Sequence, residues 1–95
     1  MNRTELIACI AELSALRYTP AGLPALDLML EHSSQMSEAG HTRQVNLTMR
    51  ALALGNQAER LSRQVVGSQW RFQGFLATPR QGRSVVLHIQ EFQQD

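Results

Sequence analysis

The chain has 95 residues, a length that suits one compact domain and leaves no room for two separate cores. Its hydrophobic share of 43% and charged share of 18% exclude a disordered or collagen-like chain. The net charge is only +1 and no stretch resembles a membrane span or a secretion signal, so we predict one cytoplasmic domain over residues 1–95.

The near-neutral charge conceals a segregation along the chain. Residues 1–42 hold two arginines against five acidic side chains, whereas residues 43–83 hold seven arginines against one glutamate. All nine basic residues are arginine, and lysine is absent. A planar guanidinium can bind phosphate oxygens bidentately and stack on flat rings, which an ammonium cannot do. The arginine-rich segment is therefore a first indication of an anionic partner.

The first element, residues 4–17, can be interpreted in two ways. Its content of Ala, Leu, Ile and Glu favours a helix, whereas the alternation of Leu6, Ala8 and Ile10 fits one face of a strand. The local pattern does not decide between them. The single cysteine, Cys9, cannot form an internal disulfide, and its apolar neighbours predict a small buried side chain.

The next segments predict a turn, two strands and a loop. Residues 18–24 hold two prolines and a glycine, which favour a tight turn, and residues 26–31 alternate as a half-buried strand. Residues 32–42 are polar and are expected to form a loop. Residues 44–50 alternate again and predict a third strand with a buried apolar row. That row consists of Val45, Leu47 and Met49.

One helix and two strands complete the predicted order. Residues 56–64 form the best remaining helix, short and polar, and residues 68–78 predict a fourth strand. A turn at residues 79–83 leads to a last strand over residues 85–90. The order predicts an all-β fold, a single five-stranded OB-fold (oligonucleotide-binding) barrel with a short connector helix between strands 3 and 4.

Three side chains of the fourth strand carry further expectations. Gly74 interrupts the alternation and predicts a bulge or bend. Trp70 has the same parity as Phe72 and is expected in the core, with a base-stacking role as the alternative. The pattern leaves the direction of Phe75 open.

The sequence contains no arrangement of residues typical of an enzyme. Its three histidines are dispersed, and no His, Cys or carboxylate pair has the spacing of metal ligands, so neither a metal nor a cofactor is expected. Glu31, His32 and Ser33 do not form a triad, because adjacent strand residues point to opposite faces. We therefore expect a binding protein without catalytic activity.

Several short sequence pieces in a fixed order indicate a known family. They are Asn2-Arg3, Pro20-Ala21-Gly22-Leu23-Pro24, Leu30-Glu31-His32, Glu38-Ala39-Gly40 with Arg43-Gln44, Val66-Gly67-Ser68, Gln73-Gly74-Phe75 and Val86-Leu87-His88. Over nearly its whole length the chain resembles the primosomal replication protein N (PriB) family, a relative of bacterial single-stranded-DNA-binding protein. The resemblance implies that the first element is a strand and that two barrels form a homodimer through it. It also implies binding of single-stranded DNA and bridging of a PriA-like restart helicase to a primosomal loader protein.

Two features depart from the best-known member of that family. Asn46 stands where that member has a DNA-stacking tryptophan, and the loop between the last two strands is shorter and carries Arg80 and Arg83. If stacking on bases is weaker, DNA affinity would depend more on the charge of the DNA backbone, or the protein would depend more on its helicase partner than on DNA. A second function therefore stays open, an OB-fold adaptor of the restart helicase with marginal DNA affinity. A third is an RNA-binding role of the cold-shock type.

The candidate nucleic-acid-binding residues combine cations for phosphates with side chains that can lie against bases. We expect them to meet on one side of the barrel. They are Arg17, Tyr18, Arg43, Asn46, Arg50, Arg71, Arg80 and Arg83. Arg60 and Arg63 lie on one face of the connector helix, where a solvated surface, an extension of the groove and a protein contact are all open.

Overall fold

The computed structural model describes all 95 residues. Its elements in chain order are β1 (Thr4–Leu13), β2 (Arg17–Tyr18), β3 (Pro24–Glu38), β4 (His41–Leu54), α1 (Asn56–Ser62), β5 (Gln69–Ala77) and β6 (Val86–Gln93). The chain is mostly β with one short helix, as predicted. There are six strands instead of five, because the predicted first turn is preceded by a two-residue strand, β2. Among the long strands, α1 still follows the third and precedes the fourth.

The strands pair in a closed circuit. β1 pairs with β5 and also with β3, while β5 pairs with β6, β6 with β4, and β4 with β3. All of these pairs are antiparallel except β4 with β6, which is parallel. The enclosed core contains the largest fully buried side chains, which are Phe72, Ile10, Leu26, Leu30, Leu61 and Leu87. Because β1 has two partners, no long apolar face is left uncovered.

β1 is a strand because its pairing partners override the helix propensity of its residues. Leu6, Ala8 and Ile10 face the core, and Glu5, Ile7 and Cys9 face outward. The prediction that Cys9 is a buried core thiol is wrong. The alternation of the strand places it on the outer face, partly buried, with its Sγ 3.8 Å from Oε1 of Gln69.

β3 and β4 form a long hairpin, and the loop predicted at residues 32–42 is wrong. Strand pairing continues to Glu38 and His41, and only Ala39 and Gly40 form the turn. Both turn residues have positive φ, 51° and 81°, which matches the twist of a two-residue hairpin. The outer half of the hairpin lies beyond the core, so neither face needs an apolar row and its sequence resembles a loop.

Of the predicted buried row of Val45, Leu47 and Met49, only Met49 packs against the core, and the prediction is wrong for Leu47 for the same reason. Leu47 is 37% exposed, and the other two are only partly buried. β4 has β6 as a second neighbour only over residues 50–53, so the core side of β4 is covered there and not further out.

β1 and β3 separate before Cys9, and the side chain of His32 connects the two strands there. The last paired residues are Cys9 and Glu31, and the next residue of β3, His32, donates from Nδ1 to the carbonyl oxygen of Ile7. Since that nitrogen carries the proton, neutral His32 accepts at Nε2 from the hydroxyl of Ser34, 2.8 Å away. The backbone edge of β1 before Cys9 is otherwise free on this side.

The remaining elements lie close to their predicted positions. The first turn spans residues 19–23, where Thr19 donates to the carbonyl of Leu23. α1 buries Ala58 and Leu61 against the core, and no helix of the structure is long and apolar enough to cross a membrane. The pairing of β5 with β6 shifts register at Gly74, which confirms the predicted bulge.

Trp70 and Phe75 point to opposite sides of β5. Trp70 packs against the core with its ring edge-on to Phe92, at a centroid distance of 5.1 Å, as expected for a core residue. Phe75 faces outward and stacks on His88, which settles the direction that the sequence left open.

Candidate nucleic-acid interface

The outer faces of four adjacent strands carry side chains in matching rows. The strands lie in the order β5, β6, β4 and β3, and their register aligns one outward residue of each. One row consists of Phe75, His88, Leu52 and Asp27. The next row consists of Ala77, Val86, Arg50 and Met29. Both rows combine apolar groups with charged or aromatic ones, as a surface for amphipathic ligands requires.

A cavity of about 650 Å³ lies over these rows. We call it the outer groove and define it by Arg17, Asp27, Met29, Arg50, Leu52, Pro79, Val86 and His88, which are among its lining residues. The turn after β1 bounds one end, and the loop between β5 and β6 bounds the other. Six of the lining residues are hydrophobic, and the charged ones are Arg17, Arg50, Glu12 and Asp27.

Arg17 is held in one orientation by Asp27. Its Nε lies 2.9 Å from Oδ2 and its Nη2 lies 3.3 Å from Oδ1, so the guanidinium binds both carboxylate oxygens. Hydrogen bonding to Asp27 raises the pKa of Arg17, and the charge of the same carboxylate adds to the effect. Both side chains are about half exposed, so the ion pair contributes little to stability. Its consequence is a fixed guanidinium plane at the rim of the groove.

Two of the predicted binding residues line the outer groove, and three others follow its lining residues along the chain. Arg17 and Arg50 line it, and Tyr18 follows Arg17 with its side chain 65% exposed. Arg80 and Arg83 are exposed in the loop that begins beside Pro79. Unlike Arg17, the arginines at positions 50, 80 and 83 form no ion pair.

The hairpin separates Asn46 from Arg43. Asn46 lies on the same face as Arg50, and its Oδ1 accepts a hydrogen bond of 3.1 Å from the hydroxyl of Ser33. Arg43 lies opposite Met36 on the other face of the hairpin and forms a 2.9 Å ion pair with Glu38. The expectation that both share the polar row of this strand is wrong for Arg43, because odd and even positions face opposite ways.

Arg71 lies on the outer face of β5 but outside the groove. It is four residues from Phe75, about 13 Å along the strand, between Ile7 and Gln93 of the neighbouring strands. Its Nη2 forms a 2.8 Å ion pair with Asp95. The expected meeting of all candidate residues on one side of the barrel therefore does not include Arg71.

The two arginines near the connector helix have different surroundings. The guanidinium carbon of Arg60 lies 4.5 Å from the ring centre of Phe92, where it covers the core. Arg63 follows the helix and is exposed. Arg60 therefore has a structural contact that sequence spacing alone does not reveal.

The sequence prediction omitted His88, Leu52 and Met29 from the site. All three line the groove, and His88 stacks on Phe75 with ring centroids 4.7 Å apart and planes 13° from parallel. The signal that could have identified His88 was its outward parity in the last strand. No group of three or more His, Cys, Asp or Glu side chains is placed to hold a metal ion.

Comparison with known proteins agrees with this fold. The family described as "Another single-strand binding protein family" matches residues 2–91, and the chain belongs to it. Replication restart protein PriB from Bordetella pertussis is 49% identical over 92 residues, covering 96% of this chain and 86% of the relative. The chain therefore belongs to the PriB group of that family.

Solved structures give the same result. The PriB protein from Ralstonia solanacearum has a TM-score of 0.90 at 37% identity, over 99% of this chain and 97% of that one. The single-stranded DNA binding protein from Thermus aquaticus has a TM-score of 0.78 at 27% identity, over 98% of this chain and 49% of that one.

Proposed function

We propose that this chain is a single-stranded-DNA-binding accessory protein of the replication restart primosome, built on an OB-fold barrel. The observation that carries the proposal is the outer groove, in which apolar side chains lie beside Arg17 and Arg50, and the loop with Arg80 and Arg83 begins at the lining residue Pro79. Relatives named for replication restart and neighbours named for binding single-stranded DNA support it.

The groove suits a flexible strand whose bases are exposed. Three arginines without an ion pair are free to neutralise phosphates. They are Arg50 in β4, and Arg80 and Arg83 in the loop between β5 and β6. Leu52 and Met29 offer apolar surface to the flat faces of bases. Neither type of contact depends on base identity, so binding tolerates any sequence.

The partners in this proposal are a PriA-like restart helicase and a primosomal loader protein, which the chain bridges in the cytoplasm as a homodimer. The free edge of β1 before Cys9 supports the homodimer, because an unpaired strand edge can pair with a second copy. The hairpin, on the far side of Asn46 from the groove, offers surface for protein contacts while DNA is bound.

The test is a titration of fluorescently labelled oligo-dT at several salt concentrations. If the three arginines without ion pairs, Arg50, Arg80 and Arg83, neutralise phosphates, log K falls against log salt with a slope of roughly −2 for a single strand. Replacing all three by alanine should reduce the slope to near zero. Arg63→Ala, which removes an exposed arginine that does not line the groove, is the matched control and should leave slope and affinity unchanged.

A second function, an adaptor of the restart helicase with marginal DNA affinity, is favoured by one observation. By the resemblance to the PriB family, Asn46 stands where the best-known member has an aromatic ring, and its Oδ1 already accepts a hydrogen bond from Ser33. A flat salt response, with helicase binding retained, would overturn the DNA-binding proposal and support the adaptor. Tighter binding to RNA than to DNA of equal sequence would indicate the RNA-binding role instead.

A further inference from the structure

We propose that His88 and Arg17 form the two walls of a slot in the outer groove that holds one nucleobase. This inference rests on the single-strand binding proposed above and extends it to a defined stacking site. The slot would supply, from β6 and the turn after β1, the stacking surface that Asn46 does not offer from β4.

The strand register spaces His88 from Asp27, the residue that holds Arg17 at the other end of the slot. His88, Leu52 and Asp27 are consecutive outward neighbours on β6, β4 and β3, and Arg17 is bound to Asp27. Adjacent strands are about 4.8 Å apart, so the outer two positions are separated by roughly 10 Å. A base between two stacked planes needs about 7 Å, twice the spacing of about 3.4 Å between bases in DNA. Leu52, half-buried between the walls, is too short to fill this space and forms its floor.

One wall is an aromatic ring with a fixed position. Phe75 covers the face of His88 that is directed toward β5, with the planes only 13° from parallel. The opposite face of the imidazole borders the cavity above Leu52. A base in the slot would therefore continue the stack of Phe75 on His88 by one more ring.

The other wall is the guanidinium plane of Arg17. Two hydrogen bonds to the two oxygens of Asp27 fix this plane, and they also neutralise its charge. An arginine paired in this way attracts phosphate weakly, but its flat face still stacks on a base. The geometry thus gives Arg17 a stacking role, distinct from the phosphate role of the unpaired Arg50.

The experiment compares two labelled strands of equal length, oligo-dT and an abasic oligomer with the same phosphates but no bases. Both His88→Ala and Arg17→Lys should weaken oligo-dT binding about tenfold, within the range for losing one stacked base, and leave abasic binding unchanged. His88→Phe keeps a flat ring and should retain most of the affinity. His41→Ala, an exposed histidine near the hairpin turn, is the matched control.

The outcomes separate the slot from the wider proposal. If His88→Ala and Arg17→Lys bind oligo-dT as the unaltered protein does, while the triple arginine variant still loses salt dependence, the slot is wrong and single-strand binding stands. Equal losses on the abasic strand would also overturn the slot, since they would show a charge or folding effect. If the unaltered protein binds neither strand, both proposals fail. Circular dichroism of each variant checks that it folds.

Discussion

At the scale of single residues, Gly74 shows how one position joins the fold to the groove. It lies in β5 where the register shifts, and a Cβ there would overlap the carbonyl oxygen of His88. This close approach brings the two strands together next to the stack of Phe75 on His88. Sequence pattern predicted the bulge correctly, because a glycine inside an alternating strand often marks a bulge or a close backbone approach. It could not show which atom comes close, since that depends on the partner strand.

We expect Gly74→Ala to lower the free energy of unfolding by about 3 kcal/mol, at the upper end of overpacking costs, because backbone must move to admit the methyl group. The midpoint of thermal unfolding should fall by more than about 10 °C for a domain of this size. Gly82→Ala is the control: its Cβ would meet only Pro79 side-chain carbons, the nearest at 3.3 Å. Equal stability of the two variants would contradict the prediction.

At the scale of elements, the hairpin of β3 and β4 is the part that sequence pattern missed. Alternation reveals a strand only where one face is buried, and residues beyond the core have no such face. The same limit explains Leu47, which alternates like a core residue but is exposed. For β1 the local pattern left helix and strand open, because helix propensity and alternation disagree, and its pairing with β3 and β5 makes it a strand. Only the resemblance to a known family identified it.

The turn of this hairpin can be improved by one substitution. Ala39 has a φ of 51°, a conformation that strains alanine and that asparagine tolerates better. Ala39→Asn should stabilise the hairpin by roughly 0.5–1 kcal/mol, seen as severalfold slower hydrogen exchange of its backbone amides. Ala21→Asn, in the turn between β2 and β3 where φ is not positive, should have no such effect. Unchanged exchange in the first variant would show that the turn is not strained.

At the scale of the whole molecule, closure of the strand circuit leaves the backbone edge of β1 before Cys9 free beside the core. Ile10 bonds toward β5, with Gly67 and Ser68, and the carbonyl of Ile7 bonds toward His32. Odd-numbered residues of β1 thus direct their backbone groups to the free edge. The sequence could not show that this edge of β1 is free to pair with a second copy, because that depends on where β3 separates from β1.

Of the candidate site residues, the sequence predicted that Arg17 and Arg50 share one side, and both line the groove. It could not show the ion pairs of Arg43 and Arg71.

A proline at position 5 tests the homodimer. The N–H of Glu5 points to the free edge, so Glu5→Pro removes a donor from that edge while leaving the pairing of β1 with β5 intact. We expect the unaltered protein to sediment at twice the 10.6 kDa of one chain and Glu5→Pro to sediment as a monomer. Glu5→Ala, which loses the charge but keeps the N–H, should remain dimeric. A monomeric unaltered protein would contradict the proposed assembly.

The length of the β3–β4 hairpin beyond the core determines which insertions and deletions the chain can accept there. The molecule is 50 Å long in one direction and 29 Å in the next, and the outer hairpin residues contribute nothing that the core requires. Deleting or inserting two residues in each strand moves the tip by about 7 Å and keeps the pairing, the faces and the turn, because side-chain direction and the hydrogen-bond pattern both repeat every two residues. A change of one residue in one strand would invert the faces of that strand beyond it. The hairpin can therefore lengthen or shorten in steps of two residues per strand while the paired strands around the core stay the same.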